Sequence, residues 1–393
     1  MDAVPHPTYP PLPTLLCLSH LRWDFVFQRP QHLLARAAAE YRVVFFEEPW
    51  FTDTAVPSLH ARATPEGVLV ATPHLPWGID PAEAETAQRA ILDGLLAEFA
   101  GPLAVAWYYT PLAVAFAGHL RPAITVFDVM DELSAFADAS PRLPLLERRL
   151  LRQADLVFTG GRSLHAAKRQ LHRRVRLFPS SVDAEHFRAA RDGPGPHGEP
   201  ADQVSLPHPR VGFFGVLDER LDYALLDAAA AARPEWQLVM VGPTAKIDPA
   251  VLPRRANLHW LGPKPYADLP TYLAGWDAGL LPFALNPATR FLSPTKTPEF
   301  LAAGVPLVST PVPDVVSDWG KDGLVEIAGG VEAAIIAIEG LLMRSKAHWQ
   351  ARVDRHLALM SWTETWRQMR ALMEGLQPRA VASVVTTKGL MAE

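Results

Sequence analysis

The sequence predicts an α/β protein of two doubly wound, Rossmann-like domains facing one another across a cleft. Three observations lead there. Short apolar runs alternate with helix-like segments through the first half of the chain, as a parallel sheet requires. From Ala189 to Pro209 the chain turns to Pro, Gly, His and acidic residues and loses all apolar periodicity. A second alternating series of similar length then follows. The chain has 393 residues, 49% of them hydrophobic and 20% charged, which is material for more than one core. The apolar fraction, 24 unpatterned Gly and a single Cys exclude disordered, collagen-like and disulfide-scaffold classes.

The strands expected in the first series are Thr14 to Ser19, Val43 to Phe46, Val68 to Ala71, Leu103 to Trp107, Ile124 to Phe127, Leu156 to Thr159 and Val175 to Phe178. Helical patterns lie between several of them, at Gln31 to Glu40, Ala82 to Phe99 and Leu145 to Gln153. The second series offers Val211 to Phe214, Gln237 to Val241, Leu258 to Trp260, Ala278 to Pro282, Pro306 to Ser309 and Leu324 to Ile327. These patterns divide the chain into residues 1–188, a linker at 189–209, a second domain at 210–350, C-terminal helices at 351–377 that return toward the first domain, and a tail at 378–393. Gly193, Gly195 and Gly198 have formal G-x-G-x-x-G spacing, but no strand precedes them and Pro194 and Pro196 interrupt them, so no dinucleotide fingerprint is assigned.

Net charge is −5, which argues against a nucleic-acid partner. The charge is uneven: Arg142 to Arg176 holds ten Lys or Arg against Glu147 and Asp155 alone. In its first helix Leu143, Leu146 and Leu150 fall at helical spacing, while Arg148, Arg149 and Arg152 project elsewhere. Lys168, Arg169, Arg173 and Arg174 extend the basic face, and an anionic membrane surface is its expected partner, against a solvated face or an acidic-acceptor groove. The first Lys or Arg is Arg22, so no signal peptide is read; with one apolar-flanked thiol, Cys17, the expected location is cytoplasmic, peripheral at the inner face of the membrane. The uncharged stretch Phe99 to Gly118 contains Gly101, Pro102, Pro111 and two Tyr, and reads as strand then helix, not as a membrane span.

Ligands of doubly wound folds gather at the carboxyl ends of the strands, so the loops there are the candidates. After the first strand, Arg22, Asp24 and Arg29 are either ligand residues or a surface ion pair over Trp23. Asp128-Val129-Met130-Asp131-Glu132 places three carboxylates at a strand end, where Asp131 serves as a general base or as a helix cap, with Asp128 the alternate base. Gly160, Gly161 and Arg162 open a helix whose N–H groups face an anion or form an ordinary turn. The densest candidate runs from Asn286 to Gly304 through Arg290, Ser293, Thr295, Lys296 and Glu299. Thr297 as N-cap, Pro298 as first helical residue and Gly304 past the end define a short helix whose positive end meets Lys296, which suits a diphosphate. The chain has 30 Arg and seven Lys, yet sets Lys246, Lys264 and Lys296 in successive loops, which points to compact charges there.

Together these features resemble the GT-B fold of nucleotide-sugar-dependent glycosyltransferases, especially the bacterial group related to family 4. Three stretches carry the resemblance: Ala154 to Thr159, Phe178 to Phe187, and Ser293 to Gly304 with the following Val305-Pro306-Leu307-Val308. The opening Gln28-Arg29-Pro30-Gln31-His32-Leu33 looks like a subgroup of surface-polysaccharide enzymes, similar to teichuronic acid biosynthesis glycosyltransferases. The resemblance implies a hexosyltransferase in cell-surface polysaccharide or glycoconjugate biosynthesis, acting from a nucleotide diphosphate sugar, expected as UDP-linked, on a hydroxyl of a glycan or lipid-linked acceptor. The alternatives are a sugar-nucleotide epimerase or hydrolase, or a degenerate nucleotide-sugar-binding subunit. No cofactor is implied, since the nucleotide sugar is a substrate.

By the same resemblance the first domain takes the acceptor and the second the donor, with Glu299 on the ribose and Lys296 and Arg220, after Gly215, on the diphosphate. Gly262 and Lys264 would frame the base. Two departures stand out: Phe291 occupies the place of the first Glu of an E-x7-E pair, and Met130 that of a common His, leaving Asp131 or Asp128. No two Asp are separated by one residue, so the D-x-D metal clamp is missing and metal-independent transfer is expected.

Overall fold

A computed structural model describes residues 12–376 except Ala100 and His197. The tail at 378–393 and the first residues of the 1–188 segment lie outside the described residues. The first sheet holds β1 (Thr14–Leu18), β2 (Arg42–Phe46), β3 (Trp50–Thr52), β4 (Ser58–Ala63), β5 (Val68–Pro76), β6 (Leu103–Tyr108), β7 (Ile124–Val129), β8 (Leu156–Thr159) and β9 (Val175–Leu177). Its order is β3-β5-β2-β1-β6-β7-β8-β9, all parallel, with β4 antiparallel on β5. The second sheet holds β10 (Arg210–Phe214), β11 (Gln237–Val241), β12 (Leu258–Gly262), β13 (Ala278–Leu281), β14 (Leu307–Ser309) and β15 (Glu326–Ile327) in the parallel order β12-β11-β10-β13-β14-β15.

Central strands such as β1, β10 and β11 are buried at every residue, which is why they appear in the sequence as continuous apolar runs. β3 and β4 escape that signature: β4 is mostly exposed and largely polar, and it is held by its pairing with β5. The Phe99 to Gly118 stretch forms β6, a turn and a short helix, and no described helix is long and apolar enough to cross a membrane.

The helix Arg29–Ala37 starts two residues earlier than the sequence pattern indicates. Gln28 is its N-cap, and the Gln31 side chain accepts the Gln28 backbone N–H at 3.0 Å, so Arg29 enters the first turn and points inward. The segment 189–209 is more than a tether. Gln203 is fully buried, accepts the indole N–H of Trp276 at 2.7 Å and donates to the Tyr272 carbonyl, which fastens the segment to the second domain.

Helix Ala347–Leu357 packs Trp349, Val353 and Leu357 into the second core, whereas helix Trp362–Glu374 packs Trp362, Trp366, Met369 and Met373 into the first. The chain therefore crosses back between Leu357 and Trp362, later than residue 351. Cys17 is buried in β1, where burial and then nearby Asp128 push its thiol well above the ordinary value.

Candidate active site

The strand ends of both sheets meet at a cleft of about 320 Å³ whose walls include Asp24, Arg29, Met130, Asp131, Gly160, Gly215, Arg220, Lys264, Ser293, Thr295, Lys296 and Glu299. On the second-domain side, β10 ends at Phe214 and Gly215 follows with φ of 140°. A Cβ at Gly215 would collide with the Lys296 side chain, and one at Gly242, φ 147°, would collide with the Gly215 carbonyl. The two glycines let the Lys296 stem lie across the backbone, which carries its ammonium into the cleft. Lys296 is the first residue of the helix Lys296–Ala302, not the residue before it; Thr295 is the N-cap, and Gly304 with φ 76° follows the end.

Among the described residues no carboxylate stands within ion-pair distance of Lys296 Nζ. Glu299, one turn along, has a buried side chain with no hydrogen bond of its own. Burial pushes its carboxyl up to about 8, against the pull of Lys296, and burial lowers the Lys296 ammonium against the pull of Glu299. Arg220 is gripped by Asp218, which accepts its Nε at 3.0 Å and its Nη2 at 2.6 Å, leaving Nη1 without a partner. Asp218 was not singled out in the sequence; its position two residues before Arg220 in a turn was the available signal. Lys246, at φ 57°, and Arg220 both lie over the ring of Phe136 from the first domain, at 5.6 and 5.7 Å.

On the first-domain side Asp131 follows β7, carries no hydrogen bond or ion pair among the described residues, and caps nothing: the short turn Leu133–Ala135 takes Glu132 as its N-cap. Burial raises the Asp131 carboxyl above its ordinary value, opposed first by Arg220 across the cleft. This is a free carboxylate facing three cations, Arg220, Lys296 and Lys246, the arrangement a proton acceptor beside a polyanion needs.

Several expected site residues are committed elsewhere. Asp128 is fully buried and holds Arg29, also buried, by two hydrogen bonds of 2.9 Å, while Arg29 Nη1 donates to the Phe178 carbonyl at 2.8 Å. That pair locks β7 to the first helix, and neither member is free for a substrate. Arg22 is also structural: it donates to Glu47 at 3.3 Å, to the Glu48 and Pro49 carbonyls, and lies over Trp50. Asp24 pairs with Arg62 at the exposed rim. Arg290 is exposed over Phe291 and away from the cleft walls.

The Gly160-Gly161-Arg162 turn meets an anion, but it is the protein's own. Asp314 accepts the Ser163 N–H at 3.0 Å, a Cβ on Gly161 would collide with Asp314, and Arg162 pairs with Asp318. The helix start thus clasps the two domains together. Lys264 lines the cleft, yet its charge is held by Asp202 at 2.6 Å; Gly262, φ 71°, ends β12 and shapes the turn into Pro263. In the basic stretch Lys168 is buried between Glu132, at 2.6 Å, and Glu147, so it leaves the exposed face.

Known proteins resemble the chain in one sequence segment and in overall fold. Residues 208–344 match the family model described as Glycosyl transferases group 1. The Bacillus subtilis (strain 168) protein TuaH, assigned as a teichuronic acid biosynthesis glycosyltransferase, is 29% identical over 236 residues, 57% of each chain, so the match spans little more than half the length of that relative. Solved structures align over nearly the whole fold. Sucrose-phosphate synthase from Thermosynechococcus elongatus has a TM-score of 0.68 at 17% identity, covering 92% of this chain and 98% of that one. Anabaena HepE in complex with UDP and glucose gives 0.61 at 15%, covering 92% and 100%. The catalytic domain of Arabidopsis thaliana starch synthase IV, bound to ADP and acarbose, gives 0.64 at 11%, covering 93% and 99%. The chain therefore has the GT-B fold, and its residues 208–344 match the group 1 glycosyltransferase family.

Proposed function

We propose that the protein transfers a hexose from a nucleotide diphosphate sugar, UDP-linked, to a hydroxyl of a glycan or lipid-linked acceptor in polysaccharide biosynthesis. The observation that carries this is the unpaired Lys296 ammonium laid over Gly215 at a helix start, with Arg220 beside it and the free Asp131 carboxylate opposite. Lys296, Arg220 and the helix N-terminus receive the diphosphate, and their fixed charge stabilises what develops on it as its bond to the sugar C1 breaks. Asp131 takes the proton of the acceptor hydroxyl as the new C1–O bond forms. Glu299 accepts from the ribose hydroxyls, and the Pro263-Lys264 turn frames the base. HepE and starch synthase IV, with UDP and ADP, favour a nucleotide in this cleft.

Thermal stabilisation by UDP, GDP and ADP in turn tests the donor, because a ligand that binds only the native state raises its apparent stability. UDP is expected to give the largest shift. Nucleotide release that requires a glycan or lipid acceptor supports transfer; release without one indicates a hydrolase or epimerase, and binding without release a degenerate subunit. Lys296→Ala is expected to weaken UDP binding much more than uridine binding, whereas Glu299→Gln weakens both, since ribose is common to them. Calorimetric titration reads the difference.

The same reading has transfer proceed without a divalent ion, with Lys296 and Arg220 supplying the positive charge. Turnover unchanged in EDTA is the expected result; loss in EDTA and return with Mg²⁺ or Mn²⁺ overturns it.

The enzyme is further proposed to work beside an anionic leaflet, through the exposed Arg148, Arg149, Arg152, Arg169, Arg173 and Arg176. Leu143, Leu146 and Leu150 are core residues, so contact is chiefly electrostatic, helped by the exposed Leu145 and Leu171. Each basic residue near such a surface adds about 1 kcal/mol. Co-sedimentation with phosphatidylserine vesicles, weakened by salt and by R173E with R174E, is expected; equal recovery with neutral vesicles refutes it.

A further inference from the structure

A second cavity, of about 400 Å³, opens at the strand ends of the first sheet, outside the donor cleft. Its size falls within the usual range for small-molecule sites. Phe46, Phe51 and Phe116 form apolar walls, and Glu47, Glu48, Gln88 and Thr110 add polar atoms. The charges there are unequally settled. Glu47 is buried and satisfied by the Trp23 N–H at 2.6 Å, Thr72 at 2.8 Å and Arg22 at 3.3 Å. Glu85 pairs with Arg142. The Glu48 carboxylate has no ion pair or hydrogen bond among the described residues, since Arg22 reaches only its backbone carbonyl; burial raises it above the ordinary value, opposed by the more distant charges of Arg22 and Lys246. Gln88, nine-tenths buried, donates to the Ala84 carbonyl at 3.2 Å and leaves its Oε1 without a partner.

Beside Phe51 the cavity meets an aromatic surface. Phe51 is 39% and Trp77 68% exposed, with ring centroids 6.0 Å apart. Exposed aromatic pairs of this kind mark contact sites, because the rings offer flat apolar faces at low entropic cost. Flat apolar walls, unpartnered hydrogen-bond acceptors and a lining of three carboxylates, Glu47, Glu48 and Glu85, against one cation, Arg142, together fit a polyol with apolar C–H faces and no charge of its own. They do not fit a phosphate, a uronic acid or an anionic leaflet, each of which would face Glu48 while the Arg22 and Arg142 guanidiniums are engaged by Glu47 and Glu85.

We propose that this cavity takes an uncharged glycosyl unit of the acceptor and that Glu48 is the residue that rejects anionic acceptors. The proposal rests on the transferase reading above and narrows its acceptor class. Glu48 accepts hydrogen bonds from the sugar hydroxyls, with Gln88 Oε1 as a second acceptor, while Phe51 and Trp77 support the ring that follows.

The test uses the full chain with p-nitrophenyl β-glucoside, β-galactoside and β-N-acetylglucosaminide as neutral probes and p-nitrophenyl β-glucuronide as the anionic one. Binding is read by saturation-transfer NMR and titration, with and without UDP. At least one neutral glycoside is expected to bind about tenfold or more tighter than the glucuronide, and Glu48→Gln to cut that ratio to about twofold by admitting the glucuronide. Trp77→Ala should weaken the neutral glycoside and leave UDP affinity unchanged. Equal binding of neutral and anionic probes, a ratio that Glu48→Gln does not move, or no glycoside binding at all overturns the proposal. So does a surface that loses phosphatidylcholine vesicle binding in Trp77→Ala and holds no glycoside. Failure of UDP to bind, with the glycosides still discriminated, counts against the donor reading alone.

Discussion

Asp131→Asn is expected to lower turnover by on the order of 10² to 10⁴ while leaving UDP affinity unchanged. The carboxylate stands on the first-domain wall, and no hydrogen bond or ion pair among the described residues engages it, so the substitution removes a proton acceptor without breaking a described contact. Its raised pKa sets the sign of the pH dependence. A base works ionised, so turnover falls as pH drops through the Asp131 pKa, and burial places that limb above the ordinary value for Asp. The variant should lose this limb, which steady-state rates across the acid range at saturating donor would reveal. Unchanged turnover would move the proton to the leaving phosphate; it could not return the role to Asp128, whose two oxygens are bound to Arg29.

Asp128→Asn is expected to act on stability. Asp128 and Arg29 are 0% and 1% exposed and joined by two hydrogen bonds of 2.9 Å. Asn keeps one acceptor but leaves the guanidinium charge buried without a counter-charge, which costs about 3–5 kcal/mol for a pair of this kind. On a domain of this size that is a fall in midpoint of roughly 6–20 °C. The double variant R29M/D128L removes both charges and should recover most of the loss, because replacing a buried pair by apolar groups is often neutral. Thermal unfolding of the parent and the two variants checks this. A single Asn variant as stable as the parent would show that the pair does not hold the first helix to β7.

The two predictions separate carboxylates only three residues apart, and nothing in their sequence separates them. Both lie at the carboxyl end of the same strand, and both suit a base. The difference is made by Arg29, 99 residues away, which the early start of its helix turns inward. Likewise Gly160-Gly161-Arg162 has the local form of an anion site, and only the approach of Asp314, 151 residues on, shows which anion fills it. Lys264 and Lys168 read as free charges until Asp202, Glu132 and Glu147 are seen beside them. β3 and β4 were illegible for a related reason: an exposed edge strand is specified by its partner, and its own composition need not be apolar.

What the sequence alone determined is the class of fold, the two sheets, and the short helix that carries Lys296 and Glu299. These are properties of neighbours in the chain: apolar runs that must be buried on both faces, and a helix bounded by Gly304. Only the tertiary structure decided which charges are free. An ionised side chain is neutralised by whatever the fold brings within a few ångström, and that partner is set by packing between distant segments, on which local periodicity carries no information.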